Sequence, residues 1–430
     1  MALRLDGVAP DFEARFAALL SAKRETAEDV ETAVRAIIDD VRRRGDAALI
    51  DYTLKFDRLE LTPKDLVVAD SAFAEADRAV AAEARAALGL AADRIEAFHR
   101  RQLPADDRYT DDAGVELGLR WTAIEAVGLY VPGGTAAYPS SVLMNAIPAR
   151  VAGVERIAMV VPTPDGVINP LILVAARLAG VHEVYRVGGA QAVAALAYGT
   201  ETIRPVDKIV GPGNAYVASA KRLVFGTVGI DMIAGPSEVV VVADADNDPD
   251  WIASDLLAQA EHDAAAQAIL LTDSPRLADD VAAAVERQLK TLARTETAAA
   301  SWRDHGAIVT VASLAAAAEI ANRLAPEHLE LAVAEPEALL ARIRNAGAVF
   351  LGRYTPEVIG DYVGGPNHVL PTARSARFSS GLSVYDFVKR TTLLKLGAEQ
   401  LRTLGPAAIA LAEVEGLDAH ARSVAIRLNR

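Results

Sequence analysis

Apolar positions in the first hundred residues recur at helical spacing. In DVETAVRAIIDDVRRRG, residues 29–45, Val30, Val34, Ile37, Ile38 and Val41 form one stripe and Gly45 reads as the stop. The alanine-rich stretch that follows keeps the period, so the chain from about Thr26 to Arg101 is predicted to be helical, with His99 a partly exposed helix residue. At Ala126 the texture changes. Short β-type runs (AVGLYVPGG, RIAMVVP, EVYRVGG, DKIVGPG, EVVVVAD) alternate with the helical stretches SSVLMNAIPARVAGV, PLILVAARLAG, AQAVAALAYG and AYVASAKRLVFG. A second series starts near Asp248, with the runs AILLTD, AIVTVAS, HLELAVA and AVFLG between helices such as DWIASDLLAQAEHDAAAQ and SLAAAAEIANRLA. This rhythm predicts parallel sheets covered by helices on both faces. The two series share no residue-level repeat. From Tyr354 to about Asp386 the chain is irregular and rich in Gly and Pro, and a loop of that length in a compact protein is usually functional. The last part, from AEQLRTLGPAAIALAEVEG onward, is predicted to be helical again.

Composition narrows the chemistry. A chain of 430 residues with 52% hydrophobic and 24% charged residues reads as globular with roughly two to four domains. A net charge of -14 without a basic patch disfavours nucleic acid. No run is long and apolar enough to span a bilayer, and the start lacks a signal-peptide pattern, so a cytoplasmic protein without a membrane partner is expected. The absence of cysteine excludes disulfides, thiolate metal sites and a thiol nucleophile. Any metal must be held by His, Asp, Glu, Gln or Asn.

Three glycine-bearing turns sit at strand ends: YVPGGTAAYP, VGGAQA and GPGNAY. Each allows a ligand close to the backbone and a helix N-terminus, though each also suits a tight turn with positive φ. None is the G-x-G-x-x-G fingerprint. In AQAEHD, Gln259 and His262 lie three apart on a helix, so both leave one face and can give two metal bonds. The plainer reading is a polar surface face. Asp361, His368 and His420 are further donors in the C-terminal third, and a His-and-oxygen set suits zinc, with manganese or cobalt as substitutes. In LAPEHLEL, Glu327 and His328 follow a proline that ends the preceding helix. A histidine beside a carboxylate can shuttle protons and activate water. Adjacent residues in a strand point to opposite faces, so the pair reaches one substrate only from a turn, for which Pro326 supplies a reason. The alternative is a histidine that offsets a helix C-terminal dipole.

Taken together, the chain closely resembles the histidinol dehydrogenases. The stretches that carry the likeness run in order: GLYVPGGTAAYPSSVLMNAIPARVAGV, VGGAQAVAALAYGTETI, KIVGPGNAYVASAKR, GIDMIAGPSEVVVVAD, LLAQAEHD, LAPEHLEL, YVGGPNHVLPT and EGLDAHARS. They cover the chain from about residue 120 to its end, and IEAFHRRQ is similar too. The resemblance implies an α/β fold of two incomplete Rossmann-like parallel-sheet domains with helical extensions, assembled as an intertwined homodimer. It divides the chain into a helical arm over 1–25, a discontinuous α/β domain over 26–125 plus 240–380 with the zinc and catalytic residues, a second α/β domain over 126–239 on the NAD side, and a helical segment over 381–430 that crosses to the partner.

The implied reaction is the oxidation of L-histidinol to L-histidine through bound histidinal, the last step of histidine biosynthesis. It uses one zinc ion per subunit and two NAD in succession. By matching motif, zinc falls to Gln259, His262, Asp361 and His420, the last from the partner subunit. NAD falls to Tyr130, Gln191 and Asn214. Substrate contacts fall to Ser237 and Glu415, the latter also crossing over, together with His328 and the metal ligands. Glu327 and His328 are the implied acid–base pair: His328 takes the hydroxyl proton and Glu327 activates water to attack the aldehyde. Without cysteine no thiohemiacetal can form, so the aldehyde must be trapped as a hydrate. Two other readings remain at this stage: a zinc/NAD relative oxidising another small alcohol, such as a sulfonated diol, and a non-catalytic binding protein on the same scaffold.

Overall fold

Residues 2–22, 28–133, 138–233 and 235–429 are described by the structure, a computed structural model. The turn residues 134–137, Ala234 and the expected helix start at Thr26 lie outside them. Two parallel sheets carry the molecule. One has five strands in the order Glu183–Tyr185, Arg156–Val160, Ala126–Tyr130, Lys208–Val210, Gly229–Ile230. The other has six: Leu3–Asp6, Ala307–Thr310, Gln267–Thr272, Glu238–Ala243, His328–Ala332, Ala348–Leu351. Period-two alternation divides each sheet between two cores. Val127 and Leu129 face one layer of helices while Ala126 and Tyr130 face the other. In the larger sheet Val239 and Val241 join the core with Pro249–Ala260, and Val240 and Val242 join the core with Leu314–Leu324.

The helices within residues 28–100 pack on the five-stranded sheet. The stripe Val34, Ile37, Ile38 and Val41 is buried with Val193, Leu196 and Val217, on one face of the five-stranded sheet. Phe73 and Ile95 are buried with Leu143 and Val174 on its other face. The N-terminal helices thus cover the sheet of residues 126–230, because that sheet's own four helices leave part of each apolar face open. The six-stranded sheet takes its edge strand, Leu3–Asp6, and the helix Phe12–Ser21 from within the expected N-terminal arm. Three further strands were not foreseen. Asp107–Thr110, Glu116–Ala123 and Val388–Lys395 form an antiparallel sheet with mostly exposed or half-buried positions, which leaves no apolar alternation to read. His99 is fully buried rather than partly exposed; its Nδ1 donates to Ile95 O at 2.7 Å.

The three glycine turns lie together at the carboxyl ends of the five-stranded sheet, where parallel sheets collect ligands. Gly133 and Gly188 both press on Pro162, with no room for a Cβ. Gly211 has φ +111°, and a Cβ there would stand 2.1 Å from Tyr130 O. Its N–H donates to Asp231 at 2.8 Å and its carbonyl accepts from the Lys221 ammonium at 3.0 Å. Lys221 and Asp231 are themselves a buried ion pair. Lys221→Met leaves Asp231 buried without its counter-charge, so the expected cost is about 3–5 kcal/mol. Urea unfolding of wild type and variant measures it, and a loss below about 1 kcal/mol, the range of an exposed pair, would show that the ion pair does not hold the turn.

Candidate active site

The helix before Pro326 ends as its sequence demands. Its last residue is Leu324, and Ala325 takes a left-handed conformation (φ 47°, ψ 58°), since a residue before proline is kept out of the right-handed helical region. The strand starts at His328, so Glu327 sits just outside it. That removes the helix-dipole alternative. Both side chains are buried, with His328 Nδ1 3.8 Å from Glu327 Oε2. The first residue of the neighbouring strand brings them together. Glu238 N–H donates to Glu327 Oε2 at 2.9 Å, and its carbonyl lies 3.0 Å from His328 Nδ1. A carbonyl only accepts, so Nδ1 carries a proton in either charge state and Nε2 is the nitrogen that gains or loses one. Nε2 is buried, has no hydrogen-bond partner and stands 3.6 Å from Asp361 Oδ1.

His328 occupies the register of Val239, so it faces the helix Pro249–Ala260. That helix brings Gln259, whose Oε1 is 3.2 Å from His328 Nδ1. The helix is shorter than expected and ends at Ala260; His262 lies in the following turn. The turn keeps the spacing through His262 N–H to Gln259 O at 3.2 Å, and the two side chains meet at 3.3 Å. Asp361 comes from a short helix, Glu357–Tyr362, inside the stretch expected to be irregular. Ser237 immediately precedes the Glu238 strand and its carbonyl accepts from Gln267 N. His368 is joined to the set through Asp361 O at 2.9 Å and reaches Ser141, on the other half of the molecule, at 3.5 Å.

Other expected residues stand apart. Glu415 and His420 are exposed on the C-terminal pair of helices, Ala398–Val414 and Asp418–Ala425, which pack on each other. No hydrogen bond or ion pair joins either side chain to the buried set among the described residues. On the glycine turns, Tyr130 is buried with its phenol pushed up to about 12 by burial, and its Oη accepts from Gly189 N–H at 3.0 Å. Gln191 is buried with an unpartnered Oε1. Asn214 caps the helix Ala215–Val224 by accepting from Tyr216 and Val217 N–H.

Residues not singled out in the sequence complete the site: Glu238, Glu330, Glu357 and Asp255. Glu357 Oε2 lies 3.4 Å from His328 Nδ1. Two signals were available: Glu330 interrupts an apolar strand two residues after His328, and Glu357 precedes Asp361 by one helical turn.

The model of the histidinol dehydrogenase family matches residues 20–428. The chain belongs to the histidinol dehydrogenase family. It is 72% identical over 420 residues to a histidinol dehydrogenase of Brucella suis, with 98% of each chain covered. To that of Rhizobium meliloti it is 70% identical over 429 residues, covering 100% of this chain and 99% of the relative. The crystal structure of histidinol dehydrogenase from Elizabethkingia anophelis superposes with a TM-score of 0.95 at 38% identity, covering 100% and 98%. The chain is therefore an oxidoreductase of histidine biosynthesis, on a fold shared with a solved histidinol dehydrogenase. No helix among the described residues is long and apolar enough to cross a membrane.

Electrostatics sort the buried groups. Burial alone would lower His328, but Glu327, Glu357 and Asp361 outweigh it and raise it well above its usual value. Burial raises Asp361, but the nearby His328 ring, with its charge, overcomes it and keeps the carboxylate low. Burial lowers His262 and so favours its neutral ring. A neutral imidazole, an ionised carboxylate and the Gln259 amide oxygen are the states a divalent cation requires, so the donor set fits a metal. Among the described residues no three His, Asp or Glu side chains are placed to hold one.

Burial also pushes Glu327 up to about 7 and Glu357 up to about 8. A raised acid stabilises the fold fully below its unfolded value and loses that contribution as pH rises through the folded one. Glu327 and His328 act in the same sense, whereas Asp361 matters only at more acidic pH. Metal-free protein should therefore lose stability between about pH 5 and pH 8, by up to about 1.4 kcal/mol per pH unit for each proton. Urea unfolding across that range checks this, with Glu357→Gln expected to flatten the slope.

Proposed function

We propose that the chain carries out the zinc-dependent, NAD-linked oxidation of L-histidinol to L-histidine through bound histidinal. The observation that carries this reading is the buried Glu327–His328 pair, with an unpartnered Nε2 directed toward Asp361 in a cysteine-free chain. In this reading Gln259, His262, Asp361 and His420 would hold zinc, which would supply a grip on the substrate's imidazole and amine and so set its alcohol carbon, and NAD would supply the hydride acceptor for each of two rounds. Overall, one alcohol, one water and two NAD yield one carboxylate, two NADH and three protons.

His328 Nε2 accepts the hydroxyl proton while Glu238 O keeps Nδ1 protonated and the ring fixed. Glu327, held by Glu238 N–H, removes a proton from the water that adds to the aldehyde, and His328 takes the hydrate's proton in the second oxidation. Ser237, at the start of the Glu238 strand, and Glu415 hold the substrate. Tyr130, Gln191 and Asn214 hold NAD; the clustering of their turns at strand carboxyl ends and the buried, unpartnered Gln191 Oε1 support that role. The exposed positions of Glu415 and His420 suit supply by a second copy, so the working unit is a homodimer with shared sites.

Glu327→Gln keeps the size but removes the base. It should spare the first hydride transfer and slow the oxidation of supplied histidinal by about 100-fold or more. Single-turnover NADH formation from histidinol and from histidinal separates the steps, and an equal loss in both would remove Glu327 from water activation. NADH formed from another alcohol but not from histidinol would reassign the substrate.

Bound zinc should fall from one per subunit toward zero in both His262→Ala and His420→Ala, measured by metal analysis. Mixed dimers of the two variants should regain zinc in half of their sites if His420 crosses over. Unchanged zinc in both variants would overturn the ligand set.

A further inference from the structure

Below His328 lies a deeper set of carboxyl groups that the proposed chemistry does not use. Three elements each contribute two stacked side chains. The strand His328–Ala332 carries His328 and Glu330 on one face, two residues apart. The helix Pro249–Ala260 carries Gln259 and Asp255, and the helix Glu357–Tyr362 carries Asp361 and Glu357, each pair one helical turn apart. His328, Gln259 and Asp361 form the upper layer, with Gln259 and Asp361 each against His328. Glu330, Asp255 and Glu357 form the lower one. Glu330 Oε1 accepts from Glu357 N–H at 2.7 Å, Asp255 stands beside it, and Glu330 and Glu357 are 3% and 1% exposed.

A helix of six residues does not hold its position by itself. Its C-terminal side is gripped by Arg94, which donates to the carbonyls of Val363 and Gly364. Its first N–H donates to Glu330 Oε1. Glu330 is also neighboured by Asp255, on the helix that leads to Gln259 and His262. We infer that Glu330, braced by Asp255, is a positioning residue that sets the Asp361 helix against the Gln259 helix and so brings the metal donors of one chain together. This rests on the zinc reading above. Burial raises both carboxyls, Asp255 to about 6, which suits two acids joined by a shared proton rather than two facing charges.

The role is one of hydrogen bonding, not of charge, so an amide should replace it. Glu330→Gln keeps an acceptor for Glu357 N–H and a partner for Asp255; Glu330→Ala keeps neither. The test is zinc affinity of the chelator-stripped full chain, by competition with a metal-binding dye, with circular dichroism to verify the fold. Glu330→Ala should weaken zinc binding by about 10–100-fold, as loss of an outer hydrogen bond to a ligand-bearing element does, with Glu330→Gln restoring most of it. Asp255→Ala should give a smaller loss, and it decides the matter if Glu330→Ala does not fold. Wild-type affinity in the folded alanine variants, or a Gln variant as weak as Ala, would overturn the proposal. Failure of the wild type to bind zinc at all would instead overturn the zinc reading.

Discussion

Taking an imidazole and five carboxyl groups out of water forces them on one another. Each would cost several kcal/mol if buried alone. Between the face of the six-stranded sheet and two helices their partners among the described residues are one another, the Gln259 amide and a few backbone groups. That constraint fixes the site. The Glu238 carbonyl decides which nitrogen of His328 holds the proton, and the Glu238 N–H decides where the Glu327 carboxylate points. The protonation states follow from the same arrangement: His328 is raised by its acid neighbours, Asp361 is kept low, and Glu357 is raised by burial.

The two halves of the molecule meet beside the buried set. The buried set stands at the amino ends and on one face of the six-stranded sheet, while the glycine turns stand at the carboxyl ends of the five-stranded one. Contacts such as Ser141 with His368, and Arg94 with Val363 and Gly364, run between the halves near Asp361. The N-terminal helices, by packing on the five-stranded sheet, give that half the Arg94 that reaches the Asp361 helix. Their placement therefore bears on the site as well as on the core.

Much of this was legible before any coordinates. The alternation of apolar runs and helical stretches gave both parallel sheets, because a strand buried on two faces has to be apolar throughout. Glu327 and His328 stood out because a carboxylate and an imidazole beside a helix-breaking proline are unusual in a chain with only seven histidines. The antiparallel sheet was not legible, since its mostly exposed strands bury too little to leave a pattern. His99 departs from expectation for a related reason: Arg100 and Arg101 follow it in sequence, and the Ile95 carbonyl and the surrounding core show why it is buried.

The sequence by itself determined the local elements, the family and the residue types available for chemistry, because spacing and side-chain chemistry are properties of the chain. Tertiary structure alone decided that the N-terminal helices cover the five-stranded sheet. It also decided that Pro326 acts through the left-handed Ala325, and that Glu238, Glu330, Glu357 and Asp255 join the site. Those outcomes depend on which faces meet across more than a hundred residues, and on how buried charges are satisfied once they have met. Local sequence carries neither.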